Sequence, residues 1–171
     1  MGLVQELGYT VKPTNGLQRA MQKVASSKPG AWFFSKTLRY QDKVLFKLSG
    51  GRLTVPGLVA GLPVVMVTTT GAKSGKSRTM PLLAIPTDDD LAIIGSNFGQ
   101  RSTPGWVFNL EADPSATVDY RGRSVQVEAR RADQAETDHA FDLAGKVYPG
   151  YAEFRKRANH RDIRVFVLGV S

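Results

Sequence analysis

Between Thr68 and Arg78 the chain reads TTTGAKSGKSR, a threonine run followed by two glycines, two lysines, two serines and an arginine. Lysine offers a point charge, arginine a bidentate fork and serine a hydroxyl, a set suited to holding phosphate. Gly71 and Gly75 would let backbone N–H groups turn toward an anion. The stretch is not a nucleotide-hydrolysing P-loop, which needs four residues between its glycines and a helix directly after them. Here Ala72, Lys73 and Ser74 separate the glycines, and a proline-containing strand pattern follows. The ordinary alternative is a basic hairpin turn, where glycine is common.

Two further stretches have chemical content. Ser96-Asn97-Phe98-Gly99 places small polar residues after a strand, where a flat ring could approach closely. Pro104-Gly105-Trp106 puts an indole at a helix start, whose dipole favours an anion. Each also has a plain reading, as a turn and as a core tryptophan. Other chemistries are excluded by what the chain lacks. It has no cysteine, hence no disulfide, thiolate metal site or cysteine nucleophile, which fits a reducing, cytoplasmic setting. Its two histidines, His139 and His160, are read as surface or helix-end residues rather than metal ligands. Asp88-Asp89-Asp90 is read as a solvated hairpin turn. No G-x-G-x-x-G and no G-x-S-x-G occurs, so neither a Rossmann dinucleotide site nor a serine elbow is supported.

The elements that must position these residues follow from periodicity and punctuation. Asn15 caps a helix with Leu17, Met21 and Val24 at helical spacing and Arg19, Lys23 and Lys28 between them, stopped by Pro29-Gly30. Such a basic amphipathic helix is expected to cover the body, with a membrane surface as the other choice. A second helical pattern runs from about Phe34 to Leu48, ended by Gly50-Gly51. Leu53 to Ala72 is uncharged over a membrane-spanning length, but Pro56, Gly57, Gly61 and Pro63 break its first half, so it reads as a buried loop and a strand. No secretory signal pattern opens the chain.

Strands are expected over Val64 to Thr70, Arg78 to Ile85 (an edge or bulge at Pro81), Leu91 to Ser96, Ala116 to Tyr120, Ser124 to Arg130 and Arg164 to Val170. Helices are expected from Thr103 as cap with Pro104 as first helical residue, and from an Asp133/Glu136 capping box, with a short helical piece after Pro149-Gly150. The order β-β-β-α-β-β-α-β has mostly hairpin connections. It predicts an α+β fold: a small antiparallel barrel with helices outside, not a doubly wound parallel sheet. The domain reading is an N-terminal helical segment, 1–50, as lid or membrane contact, followed by a cofactor-binding barrel, 51–171.

Val67 to Gly75, Arg78 to Leu82, Gly95 to Gly99, and Pro104 to Leu110 followed by Asp113-Pro114 together resemble the deazaflavin-dependent nitroreductase and F420H2-dependent quinone reductase family. The likeness runs in order from about Pro63 to Ser171. It implies a split, FMN-binding-like β-barrel that uses coenzyme F420. By position it implies that Ala72, Lys73, Ser74 and Arg78 hold the cofactor's phosphate and acidic tail. Thr79, Met80, Pro81, Leu82 and Leu83, with Ile94, Gly95, Ser96 and Asn97, would run beside the ring, and Gly105, Trp106, Val107, Phe108 and Asn109 would complete the groove. Tyr148 and Tyr151 match family tyrosines near ring and substrate. Where relatives often carry lysine, Asn97 stands; where some carry tyrosines, Leu83, Val107 and Phe154 stand.

The expected reaction is hydride transfer from reduced F420 to a quinone or an activated nitro or enone compound. Tyr151 is the first candidate for substrate positioning or proton donation and Ser96 the second. FMN is the alternative cofactor, in an FMN-dependent split-barrel oxidoreductase, and a non-catalytic F420- or anion-binding or membrane-binding basic protein is the alternative to an enzyme. The net charge of +8 favours anionic partners. No RNA-binding sheet or recognition-helix pattern occurs, so nucleic acid is not expected. Peripheral membrane contact on the inner face and a homodimer are the remaining partner expectations.

Overall fold

The computed structural model describes residues 2–11, 15–27 and 62–171. The expected helix over Phe34 to Leu48, the Pro29-Gly30 stop, the broken half of the uncharged stretch and the 50/51 boundary lie outside the described residues.

Six strands form a closed antiparallel barrel: β1 (Val64–Thr70), β2 (Ser77–Thr87), β3 (Asp90–Ile94), β4 (Ser115–Tyr120), β5 (Arg123–Arg131) and β6 (Val165–Val170). Their order around the barrel is β1-β2-β3-β6-β5-β4, and β4 closes on β1. Among the described residues the α-helices are α1 (Leu3–Leu7), α2 (Gly16–Ser26), α3 (Gly105–Ala112), α4 (Gln134–Val147) and α5 (Gly150–Arg157). This is the barrel with outer helices that the sequence predicts.

Period-two alternation decides what each strand contributes. Val65 and Val67, Ala84, Leu91 and Ile93, Val118, Val127, and Phe166 with Leu168 fill the barrel. The intervening Ile85, Ala92, Ile94, Val165 and Val167 point outward into a second core under α4 and α5. β2 explains its prolines: its first half, to Leu83, pairs with β1, and its second half, from Ala84, pairs with β3. Pro81 and Pro86 therefore each lie where only one neighbour is hydrogen-bonded, which tolerates a missing N–H.

The barrel ends are plugged from opposite sides. Trp106, Val107 and Leu110 of α3 enter at the end where the β1–β2 loop lies. Leu3, Leu7 and Tyr9 enter at the other end, where Val4 N–H donates to Asp89 O and Arg123 donates to Glu6 O. α1 thus shares the barrel's core.

Two local expectations shift. Pro104, extended at φ −61° and ψ 144°, is the cap of α3, and Gly105 is its first residue, one position later than expected. On α2 the Asn15 cap forms, with Gln18 completing a capping box. However, two residues of its apolar stripe do not pack on the body: Leu17 is 75% and Val24 60% exposed, while Gln22 is buried. The helix contacts α5, and its Gln22 carbonyl accepts a hydrogen bond from the Tyr148 hydroxyl at 3.3 Å. This hydrogen bond is one fastening of the docked face.

Candidate functional site

The loop between β1 and β2 is a closed turn. Gly71 N–H donates to Lys76 O, and Ser74 N–H and Gly75 N–H both donate to Gly71 O. Gly75 takes φ +62°, and a Cβ on Gly71 would lie 2.7 Å from Ser74 Oγ, so each glycine has a steric reason. These amides are satisfied within the loop. A backbone cradle of inward-turned N–H groups, as expected from the glycines, is therefore not what the loop offers. It offers side chains: Lys73, Ser74, Lys76 and Arg78 are all exposed. Among the described residues, no ion pair engages Lys73, Lys76 or Arg78. An anion would meet uncompensated cations on a fixed turn.

Asn109 on α3 fixes the loop to the barrel. Its Oδ1 accepts from Ala72 N–H at 3.0 Å, and its Nδ2 donates to Thr69 Oγ1 at 3.0 Å. Thr69 is buried, so this clamp is anchored in the core.

From the loop, β2 runs toward the second core, and its alternation divides the residues Thr79 to Leu83. Met80 and Leu82 pack into the barrel, leaving only their backbones for the outer face. Thr79, Pro81 and Leu83 occupy that face; Thr79 Oγ1 hydrogen-bonds Thr68 Oγ1 at 2.8 Å, and Leu83 packs on the outer core. At ~3.3 Å per residue, Arg78 to Leu83 spans roughly 17 Å. Cations stand at one end of this strip and tyrosines at the other.

The tyrosine end is an aromatic cluster. Tyr148 and Tyr151 lie 6.0 Å apart by ring centroids, each within 5.9 Å of Phe154, which also meets Phe98. Gly150 is needed there, because a Cβ would come within 2.5 Å of the Tyr148 ring. Burial, with a smaller contribution from Tyr148, pushes the Tyr151 phenol well above its ordinary range. A phenol is protonated at physiological pH with or without this shift, so the hydroxyl can act as a donor.

Ile94, Gly95, Ser96 and Asn97 connect the two parts. Ile94 belongs to the outer core. Gly95 lies against α3, where a Cβ would sit 2.9 Å from Val107 Cγ2. Ser96 is buried, and Asn97 directs its Nδ2 to Ser102 O and Oγ rather than away from its own turn. On α3, Trp106 packs edge-on against Phe166 at 5.9 Å inside the barrel, and Val107 is fully buried. Their side chains serve the core, so of the five α3 residues that the resemblance implicates, Gly105, Phe108 and Asn109 are left on the outer side. Phe108 is 47% exposed beside the Arg164 guanidinium.

One contributor escapes sequence reading. Arg161, in the turn before β6, donates to Gly95 O at 3.1 Å, Ser96 O at 2.8 Å and Gln100 O at 3.2 Å. Nothing in the spacing of Asn159-His160-Arg161-Asp162 signals this. Both histidines are exposed, and no cluster of metal-ligating groups occurs among the described residues.

Comparison with known proteins bears on the fold and the family. The family model described as F420H(2)-dependent quinone reductase matches residues 37–169. An F420H(2)-dependent quinone reductase of Mycobacterium tuberculosis (strain H37Rv) is 30% identical over 105 residues, covering 60% of this chain and 68% of the relative. A solved F420-H2 dependent reductase (FDR-A) superposes with a TM-score of 0.57 at 36% identity, over 62% of this chain and 93% of that one. A structure described as a domain-swapped dimer superposes with a TM-score of 0.59 at 32% identity, over 82% and 99%. With the family model spanning most of the chain and the barrel shared with its solved relatives, this chain belongs to the F420H(2)-dependent quinone reductase family.

Proposed function

We propose that the protein is an F420H2-dependent oxidoreductase whose acceptor is a quinone, with activated nitro and enone compounds as further acceptors. The observation that carries the reading is the set of cations on the 71–78 loop, free of ion pairs among the described residues and clamped by Asn109 at the head of the β2 strip. The donor chemistry fits the cofactor: Lys73, Ser74 and Arg78 suit a phosphate and an acidic tail, and the apolar strip suits a flat ring. When bound, the reduced deazaflavin supplies a hydride. The chain's part is position and exclusion of water. Thr79, Pro81 and Leu83 line the path, with Ile94 to Asn97 at its far edge and Gly105, Phe108 and Asn109 on the α3 side. Tyr151, a protonated phenol, donates a hydrogen bond to an acceptor oxygen, with Tyr148 beside it; Ser96 is the second candidate for that role.

The test is a fluorescence titration with oxidised F420 and, in parallel, FMN. Micromolar or tighter F420 binding with weak FMN binding is expected. Lys73→Ala and Arg78→Ala should each weaken F420 by about 1–3 kcal/mol, as loss of a charge-assisted contact does. Tight FMN binding alone would move the protein to the flavin-dependent split barrels, and unchanged F420 affinity in both variants would remove the loop from the site.

The exposure of Leu17 and Val24 on a helix that also carries Arg19 and Lys23 favours a further reading: peripheral contact of α2 with an anionic membrane, from the cytoplasmic face, where quinones are dissolved. Of the N-terminal segment, 1–50, read as a cover for the 51–171 cofactor domain, the contact of α2 with Tyr148 supports that role for α2, whereas α1 shares the barrel's core. A homodimer is the proposed assembly, by analogy with the domain-swapped relative.

A further inference from the structure

The segment after β3 adopts a conformation that a chain does not hold unaided. Asn97 (φ 47°), Phe98 (φ 55°) and Gly99 (φ 75°) are left-handed in succession, and the first two carry side chains. Local hydrogen bonds close the turn, from Gly99 N–H to Ser96 O and from Gln100 N–H to Asn97 O, and Asn97 is tied to Ser102. Among the described residues, the buried side-chain polar atoms that lack a hydrogen-bond partner are Gln100 Nε2, in this turn, Arg161 Nη1, on the residue that braces it, and Arg164 Nε, against α3. All are donors. Arg164 Nε still faces Glu111 Oε1 at 3.2 Å as an ion pair, which leaves Gln100 and Arg161 as the unmatched pair. Arg161 bonds both ends of the turn, the Gly95 and Ser96 carbonyls on one side and the Gln100 carbonyl on the other. A planar fork can hold such divergent carbonyls; a lysine ammonium on a flexible stem cannot.

We propose that Arg161 is a positioning residue of the site: its guanidinium holds the 95–100 turn so that Ser96 and Asn97 stand beside the cofactor while Phe98 stays packed on the aromatic cluster of Tyr151. The proposal rests on the reading that residues 94–97 flank the deazaflavin ring. Phe98 meets Phe154 at 5.8 Å, and Phe154 meets Tyr151 at 5.9 Å, so one guanidinium sets both the ring edge and the tyrosine end.

The test uses Arg161→Lys and Arg161→Gln; the lysine variant keeps the charge and covers the case in which the glutamine variant does not fold. In the cofactor-free protein, amide hydrogen exchange at Gly99 and Gln100 is expected to quicken at least about tenfold in both variants while β3 amides stay protected. F420 affinity should fall about tenfold. Ser96→Ala should weaken binding in the native background and add nothing in the Arg161→Lys background, a non-additivity that general destabilisation would not produce. Exchange at 99 and 100 equal to wild type, faster exchange with native affinity, or strictly additive losses would each overturn the proposal. Wild-type protein that fails to bind F420 would overturn the cofactor reading and this proposal with it, which the variants alone cannot do.

Discussion

Asn109 illustrates how a single side chain can join a loop to a barrel. Its carbonyl oxygen takes the Ala72 amide and its NH2 serves the Thr69 hydroxyl, so both ends of one amide are used. Asn109→Ala leaves the Ala72 N–H to water at little cost, since the loop is exposed, but strips a buried threonine of its partner. The expected loss is about 1–2 kcal/mol of stability, together with weaker F420 binding, because the Lys73 and Ser74 side chains then lose their fixed turn. Asn109→Asp separates the two effects. A carboxylate still accepts from Ala72 and from the Thr69 hydroxyl, so the melting temperature should stay near native, while a negative charge beside the loop lowers affinity for an anionic tail. Thermal melts and F420 titrations of both variants check this. An Asn109→Ala protein with native affinity would mean that the turn needs no clamp.

Among the elements, α2 offers the clearest contrast between pattern and packing. Its start is legible in the sequence because a cap is a local device: Asn15 accepts from Gln18 N–H, and Gln18 returns a bond to the Asn15 N–H. The Asp133/Glu136 box of α4 forms for the same reason. Which face of α2 docks was not legible, because its contacts, such as the Gln22 carbonyl with the Tyr148 hydroxyl, join residues far apart in the chain. If the exposed stripe is a membrane contact, Leu17→Asp with Val24→Asp should abolish flotation with vesicles rich in anionic lipid, without lowering the melting temperature, since neither side chain is buried. High salt should weaken the native protein's flotation through Arg19 and Lys23. Flotation of the double variant equal to wild type would remove α2 as the contact.

At the scale of the whole molecule, the strands and their turns could be read because alternation and punctuation are local, whereas closure and its fastenings could not. The β1–β4 pairing that completes the barrel, the Arg161 fork and the entry of Tyr9 into the core each join segments distant in sequence. Tyr9 is the sharpest case. Its hydroxyl faces the Ala84 carbonyl at 2.5 Å and the Pro63 carbonyl at 2.8 Å, so the N-terminal segment is tied to β2 and to the start of β1 by one side chain. Burial, reinforced by Tyr120 and Tyr151, raises its pKa far above the ordinary phenol value. The sign of the linkage follows: between the unfolded value near 10 and the raised folded value, the unfolded chain has released the proton and the native one has not, so stability is complete below about pH 10 and falls as pH rises above it. Tyr9→Phe removes the hydroxyl that bridges the two carbonyls, at an expected cost of about 1–2 kcal/mol at neutral pH, or about 2–4 °C in melting temperature per kcal/mol. It also removes one of the groups that drive alkaline unfolding. Denaturant midpoints measured from pH 8 to pH 11.5 should therefore show the variant below wild type at neutral pH and converging on it as pH rises, with Tyr151 supplying the slope that remains. Parallel curves across that range would show that the Tyr9 phenol does not govern the alkaline limit of the barrel.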